Sequence, residues 1–240
     1  MNHIIITGAS RGIGRAIYEY LKMSKENRFY LIARNFEKDF TGNIFKYDLA
    51  DTENIGELIK EIKNKIGVNR AKRIVLINNA GILSPIKFCG NADDKEIVKN
   101  IAVNLMAPML LTNNFIKEFK DFNGEKKIIN ISSGAGKHPY AGWSAYTTSK
   151  AGIDMFTKSV ALEQEITSEG FKIISVAPGI VETDMQKQIR SSSKEDFPLI
   201  EKFREIKRLN LAYSADFAAK EISKFIFNDF VNGDITDIRG

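Results

Sequence analysis

No uninterrupted apolar run in the 240 residues approaches the roughly 18 to 20 needed to span a bilayer. The opening stretch, MNHIIITG, lacks the basic segment, apolar segment and cleavage site of a secretory leader and reads as a strand. A single cysteine, Cys89, excludes an internal disulfide framework and fits a reducing compartment, so a cytoplasmic location is expected. No histidine stands near Cys89 in the sequence, which favours an ordinary thiol over a nucleophile. Pro/Gly/Ser-rich linkers, internal repeats and low-complexity tracts are missing as well, so residues 1–240 are expected to form one domain.

A stripe of one charge sign is also lacking. The net charge is +5 and the pI about 9.1, yet lysine and arginine alternate with acidic residues in Glu53 to Lys65 and Lys194 to Arg208. That is the texture of solvated helix faces, and it argues against nucleic acid or a membrane surface as a partner. No metal site is expected.

What is present is an alternation of short β-branched runs with longer amphipathic ones. Strands are predicted at His3 to Thr7, Arg28 to Ala33, Asn43 to Tyr47, Arg73 to Asn78, Lys127 to Ser132, Phe171 to Ala177 and Asp234 to Ile238. Helices are predicted at Ile13 to Ser24, Thr52 to Ile66, Asp93 to about Phe119, Ala145 to Glu169 and Ser214 to Asn228. Runs such as IIIT and RIVLIN are apolar on both faces, which suits strands covered on both sides. The predicted fold is α/β, a doubly wound parallel sheet of about seven strands of the Rossmann type. Ligands of such sheets bind beyond the carboxyl ends of the strands, so the strand-to-helix junctions carry the functional reading.

The first junction runs Thr7, Gly8, Ala9, Ser10, Arg11, Gly12, Ile13, Gly14. Its glycines permit a tight turn and let a pyrophosphate approach backbone N–H groups at a helix start. The second strand ends Ala33, Arg34, Asn35, with no acid to bond a ribose 2′-hydroxyl. Arg34 can instead pair with a 2′-phosphate, and Arg11 is a second phosphate partner, so NADP(H) is expected over NAD. Asp48 and Leu49 follow the third strand, and Asn78, Asn79, Ala80 and Gly81 end the fourth. Asp48 can accept from an adenine amino group and Asn78 can brace the backbone; each also fits a plain Asx turn.

After the fifth strand stands IINISSGAGKHPYAGWSAYTTSKAG. Tyr146 and Lys150 are four residues apart at a helix start and share one face. An ordinary tyrosine titrates near about pH 10, and one ammonium within about 4 Å can supply most of the shift that a proton donor at neutrality needs. Ser133 precedes Tyr146, with Ser132 as a rival for the same role.

The set TGASRGIG, NNAG, Asn104, Ser133, Tyr146-x-x-x-Lys150 and Pro178-Gly179 with Thr183 resembles the short-chain dehydrogenase/reductase family, in order and spacing across nearly the whole chain. Within it, INISSGAGKHPYAGWSAYTTSKAG and MQKQIRSSSKEDF resemble the benzil reductases of the (S)-benzoin-forming kind and their sepiapterin reductase relatives. The resemblance implies that Ser133 bonds the substrate carbonyl, Tyr146 donates the proton, and Lys150 lowers its pKa while bonding the nicotinamide ribose. It also implies that Asn104 holds the water through which Lys150 is reprotonated, and that Pro178, Gly179, Val181 and Thr183 line the nicotinamide site. The expected reaction is transfer of the pro-S hydride of NADPH to a ketone or vicinal diketone.

Substrate choice is expected from His138, Pro139, Tyr140 and Trp143 and from a loop segment at about 182–211. Tyr140 and Trp143 would suit an aryl group, and a packing role fits them equally. A 3-oxoacyl thioester or pterin reductase of the same family is the alternative substrate reading. A non-catalytic NADP(H)-binding regulator is the alternative of another class. The ending DITDIRG differs from the glycine pair and tail of many relatives, so a homodimer through the helices beginning near Met106 and Ala145 is expected, with a tetramer as the other possibility.

Overall fold

The computed structural model describes residues 1–37, 39–67 and 71–239. Its strands are β1 (Asn2–Thr7), β2 (Asn27–Ala33), β3 (Asn43–Lys46), β4 (Arg73–Asn78), β5 (Glu125–Ile131), β6 (Phe171–Ala177) and β7 (Ile235–Asp237). They form one sheet in the order β3-β2-β1-β4-β5-β6-β7, and every pairing is parallel. The helices are α1 (Gly12–Leu21), α2 (Ile55–Lys65), α3 (Asp94–Ile101), α4 (Ala107–Phe119), α5 (Ser144–Thr167), α6 (Asp184–Arg190), α7 (Ile200–Arg208) and α8 (Ala215–Phe227). The doubly wound sheet anticipated from the apolar alternation is present.

Period-two alternation divides the core between the two faces of the sheet. Ile4 and Ile6 of β1 pack with Ile17, Ile222 and Ile226 beneath α1 and α8, whereas Ile5 packs with Ile59, Leu111 and Phe115 beneath α2 and α4. β1 and β4 are buried along their whole lengths, which is why both read as continuous apolar runs. Strand order reverses between β1 and β4, and the crevice at their carboxyl ends is the topological switch point of the sheet.

Three departures from the predicted elements bear on the site. The helix anticipated from Asp93 to Phe119 contains a π turn at Ala102–Met106, which places Asn104 in its widened coil. The catalytic-helix candidate begins at Ser144 and ends at Thr167, where Ser168 turns left-handed at φ 55° ahead of Gly170 at φ 76°. The segment at 182–211 was expected as a loop and instead carries α6 and α7. Only Ile200 and Phe203 of α7 are buried, so its apolar stripe is too narrow to stand out among its charges.

Candidate active site

A cleft of about 680 Å³ runs along the carboxyl ends of the central strands. The turn after β1 forms its floor, with Gly8 at φ +65° and Gly12 at φ +57°, conformations that favour glycine. The N-cap of α1 is Arg11, whose side chain makes no cap hydrogen bond, and the first turn holds no acid. The helix start therefore presents free N–H groups and its positive end to the cleft, the arrangement that receives a pyrophosphate. Asn79 holds this turn in place: its Nδ2 donates to the Thr7 carbonyl at 2.9 Å, while Thr7 Oγ1 accepts from the backbone N–H groups of Asn79 and Ala80 at 2.9 and 3.0 Å. The bracing expected of Asn78 is thus done by its neighbour. Asn78 Nδ2 instead donates to Asn130 Oδ1 and Thr112 Oγ1 inside the sheet.

Of the residues expected to touch a cofactor, Ser10, Ile13, Ala80, Gly81 and Pro178 line the cleft with the turn, as do Tyr146, Lys150 and Thr183. Arg34, Asn35, Asp48 and Leu49 line its far end. Arg34 is exposed and makes no ion pair among the described residues, so its guanidinium is free to take an anion. Asp48 closes an Asx turn by accepting from Ala50 N–H at 3.1 Å, leaving its other oxygen on the cleft. Arg11 lies 3.8 Å from Asp184 at the mouth.

Several of the expected residues lie off the cleft wall. A Cβ on Gly14 would stand 2.5 Å from the Gly8 carbonyl and from Asn79 Nδ2, so this glycine serves helix-to-turn packing. Val181 is buried in a bridge to Tyr213, and Gly179 turns at φ +68° against the ring of Tyr213. Trp143 is buried as well: its indole stacks on Phe197 at 4.5 Å and meets Tyr146 edge-on at 5.8 Å, with Tyr140 and Phe203 alongside. The aromatic substrate wall expected of Tyr140 and Trp143 is therefore a packed cluster behind Tyr146. The apolar side chains that line the cleft include Ile82, Leu83, Val103, Ile131 and Met185.

At the inner end Tyr146 is buried, its phenol adjoining the Ser133 hydroxyl, whose Oγ accepts from Ala135 N–H at 3.1 Å. Ser132 is buried, lines the cleft and has no side-chain partner among the described residues, whereas Ser133 does not line the cleft and adjoins the phenol. Lys150 projects from the next turn of α5, its Nζ donating to the Ile131 carbonyl at 2.8 Å and lying 5.8 Å from the Tyr146 ring centre. Burial pulls the ammonium down to about 8, against an upward pull from the carboxylate of Asp154. Burial pushes the Tyr146 phenol above its ordinary value, and the Ser133 bond only partly opposes this. Burial thus works against the acidification expected from Lys150, whose ammonium places one N–H on the Ile131 carbonyl and keeps two further donors.

Asn104 faces this pair from the π turn. Its Oδ1 accepts from Ile82 N–H at 2.8 Å, and its Nδ2 donates to the Ile82 carbonyl and to Asn100 Oδ1 at 2.7 and 2.9 Å. A Cβ on Gly81 would lie 3.4 Å from Asn104 Oδ1 and 3.8 Å from Lys150 Nζ, so the glycine keeps the space between amide and ammonium narrow but open.

The reading from residues did not reach Leu83 and Ser84, which follow the NNAG turn directly, or Lys99 of α3, whereas Gln188 falls in the segment at 182–211 expected to shape substrate choice. Gln188 Nε2 donates to Ser84 Oγ at 2.7 Å and so ties α6 across the cleft mouth to the loop after β4. The Arg190 guanidinium grips Glu182 through two bonds of 2.7 and 3.2 Å, anchoring the other end of α6. Among the described residues no group of three or more His, Cys, Asp or Glu can hold a metal ion. No helix among them is long and apolar enough to cross a membrane.

Comparison with known families assigns this architecture. The model of the short chain dehydrogenase family matches residues 2–194. The chain belongs to the short-chain dehydrogenase/reductase family. Two family members named "Benzil reductase ((S)-benzoin forming)" are similar to it along essentially their full lengths. The one from Bacillus cereus is 39% identical over 99% of both chains. That from Bacillus subtilis is 40% identical over 100% of this chain and 99% of its own. Among solved structures the KRED1-Pglu enzyme superposes with a TM-score of 0.83 at 28% identity, covering 98% of this chain and 100% of its own. ElxO with NADP bound superposes at 0.78 and 27% identity, covering 99% and 96%. As a short-chain dehydrogenase/reductase, the protein is an oxidoreductase that acts on CH–OH or C=O groups of small molecules with a nicotinamide cofactor.

Proposed function

We propose that the protein is an NADPH-dependent carbonyl reductase that reduces one carbonyl of an aryl-bearing vicinal diketone. The observation that carries the reading is that Tyr146 and Lys150 line the inner end of the cleft, with Ser133 adjoining the phenol. The cofactor fits the cleft by the uncapped start of α1, the left-handed Gly8 and Gly12, and the unpaired Arg34. Bound there, it supplies the hydride.

Ser133 holds the substrate carbonyl oxygen and orients it toward Tyr146. Tyr146 then gives its O–H proton to that oxygen as the carbonyl carbon is reduced. The Lys150 ammonium stabilises the tyrosinate so formed and bonds the ribose, and Asn104 holds the water that returns a proton to Lys150. At neutral pH a tyrosine is protonated, the state a reductase needs before each turnover. Leu83 and Met185 supply an apolar wall for the aryl group.

The substrate class rests on the full-length similarity to two benzil reductases. It is tested by following NADPH oxidation with benzil and 1-phenyl-1,2-propanedione beside a pterin ketone and a 3-oxoacyl thioester. Reduction of both diketones above the other classes is expected. Reduction of only another class would leave a short-chain reductase with a different substrate.

Cofactor preference follows from Ala33 and Arg34. Wild-type kcat/KM should favour NADPH over NADH, because a charge-assisted pair with a 2′-phosphate contributes about 1.5–3 kcal/mol, or roughly ten- to a hundredfold. Replacing Ala33 with Asp and Arg34 with Ala together should remove the attraction and add a repulsion, moving the ratio toward NADH by at least that factor. A wild type that prefers NADH would refute the role of Arg34.

The assembly is a homodimer in this reading. Met106, Met109, Met155, Leu162 and Ile166 of α4, α5 and the π turn are exposed apolar side chains on the helices expected to pair.

A further inference from the structure

We propose that Asp154 is a positioning residue of the catalytic helix, a buried counter-charge that keeps Lys150 in its ammonium form beside Tyr146. The inference rests on the catalytic reading above and extends it. Tyr146, Lys150 and Asp154 occur at intervals of four along α5, so the three titratable groups form one line down a single face of the helix. All three are buried. The backbone makes room for the carboxylate: a Cβ on Gly136 would stand 2.7 Å from Asp154 Oδ2 and 3.0 Å from the Lys150 carbonyl.

A carboxylate in this position has to be explained. Its one side-chain hydrogen bond is from Ser175 Oγ, at 2.5 Å to Oδ1, and an asparagine could accept that bond without the desolvation of a charge. What the charge adds is an electrostatic effect on the buried cation one turn away, where burial favours the neutral amine.

Of the other charged groups, Glu96 and Lys99 of α3 line the same cleft and are exposed to solvent. From β5 the lysine receives only the Ile131 carbonyl, and from the π turn the uncharged amide of Asn104 lies across Gly81. β6 contributes the hydroxyl of Ser175, and the Gly134–Gly136 turn carries no charge. Lys137 beyond that turn and Lys158, one turn along from Asp154, are both exposed. At the end of β7, Asp237 is paired with Arg239. Asp154 is the buried acid that shares the helix face of Lys150, one turn along α5.

The test reads Lys150 directly, without substrate or cofactor. In protein labelled with 13C at the lysine Cε, the Lys150 signal is assigned by its loss in Lys150→Arg and followed through pH. Asp154→Asn should lower its midpoint by about one unit or more, the size expected on removing a nearby opposite charge. Ser175→Ala, which keeps the charge and removes the bond to it, should leave the midpoint within a few tenths. Where Asp154→Asn does not fold, Asp154→Ser carries the same measurement.

An unchanged midpoint in the Asp154 variant, or equal shifts in the Asp154 and Ser175 variants, would overturn the proposal. In the NADPH-linked assay the alkaline limb of the kcat profile should move down by the same amount. Failure of every carbonyl substrate would count against the catalytic reading and leave the Lys150 titration to decide the role of Asp154.

Discussion

Tyr146→Phe is expected to lower kcat for carbonyl reduction by about a thousandfold, within the range of roughly 10² to 10⁴ that a positioned proton donor contributes. The ring stays, so the edge-on contact with Trp143 at 5.8 Å and the burial of the side chain stay with it. What disappears is the O–H proposed to protonate the substrate carbonyl. The lost bond to Ser133 should change stability by no more than about 1 kcal/mol, since the serine keeps its bond from Ala135 N–H at 3.1 Å. NADPH affinity, measured by quenching of protein fluorescence, should change little because the turn after β1 and Arg34 are untouched. A variant that turns over at the wild-type rate would remove Tyr146 from the mechanism. A variant that loses NADPH binding as well would make the tyrosine a cofactor contact first.

The parts of the fold that were legible in the sequence are those fixed by local pattern. Unbroken apolar runs marked β1 and β4 because a parallel strand covered on both faces has no polar side to show. The turn after β1 was legible because glycine is required wherever φ is positive, as at Gly8 and Gly12. The interval between Tyr146 and Lys150 showed that they share a helix face. The same interval extends to Asp154, which passed unnoticed because an acid on a helix ordinarily reads as a solvated one.

What was not legible depends on residues distant in the chain. Trp143 fitted a substrate contact and a packing role equally, since nothing near it in sequence revealed that Phe197 and Phe203, on a later segment, would enclose its indole. The protonation of Tyr146 was misjudged for a related reason. Spacing places an ammonium near a phenol, but burial and the Ile131 carbonyl, which decide where that charge is spent, come from tertiary structure. The charged texture at Lys194 to Arg208 marked a helix face without marking the helix ends, and α6 was missed because seven residues give too short a period to read.

Lys150→Met should abolish reduction as thoroughly as loss of the tyrosine, yet leave the protein more stable at neutral pH than the wild type. The lysine is buried and its ammonium is pulled down to about 8 in the folded chain, while an unfolded lysine titrates near about 10.4. Below pH 8 both states carry the charge and folding bears the whole cost of burying it; as pH rises from there toward the unfolded value the folded state sheds its proton first and the cost fades. The full difference corresponds to about 3 kcal/mol. Methionine of similar length removes that cost, while the lost bond to the Ile131 carbonyl and the stranded charge of Asp154 offset part of the gain. A net gain of about 1 kcal/mol is therefore expected at pH 7, a rise in Tm of about 2–4 °C for a chain of this size, narrowing by pH 10. Urea denaturation of both proteins at pH 7 and pH 10 measures it. A variant less stable than wild type at pH 7, or a difference that does not change with pH, would show that the fold bears no such cost at Lys150.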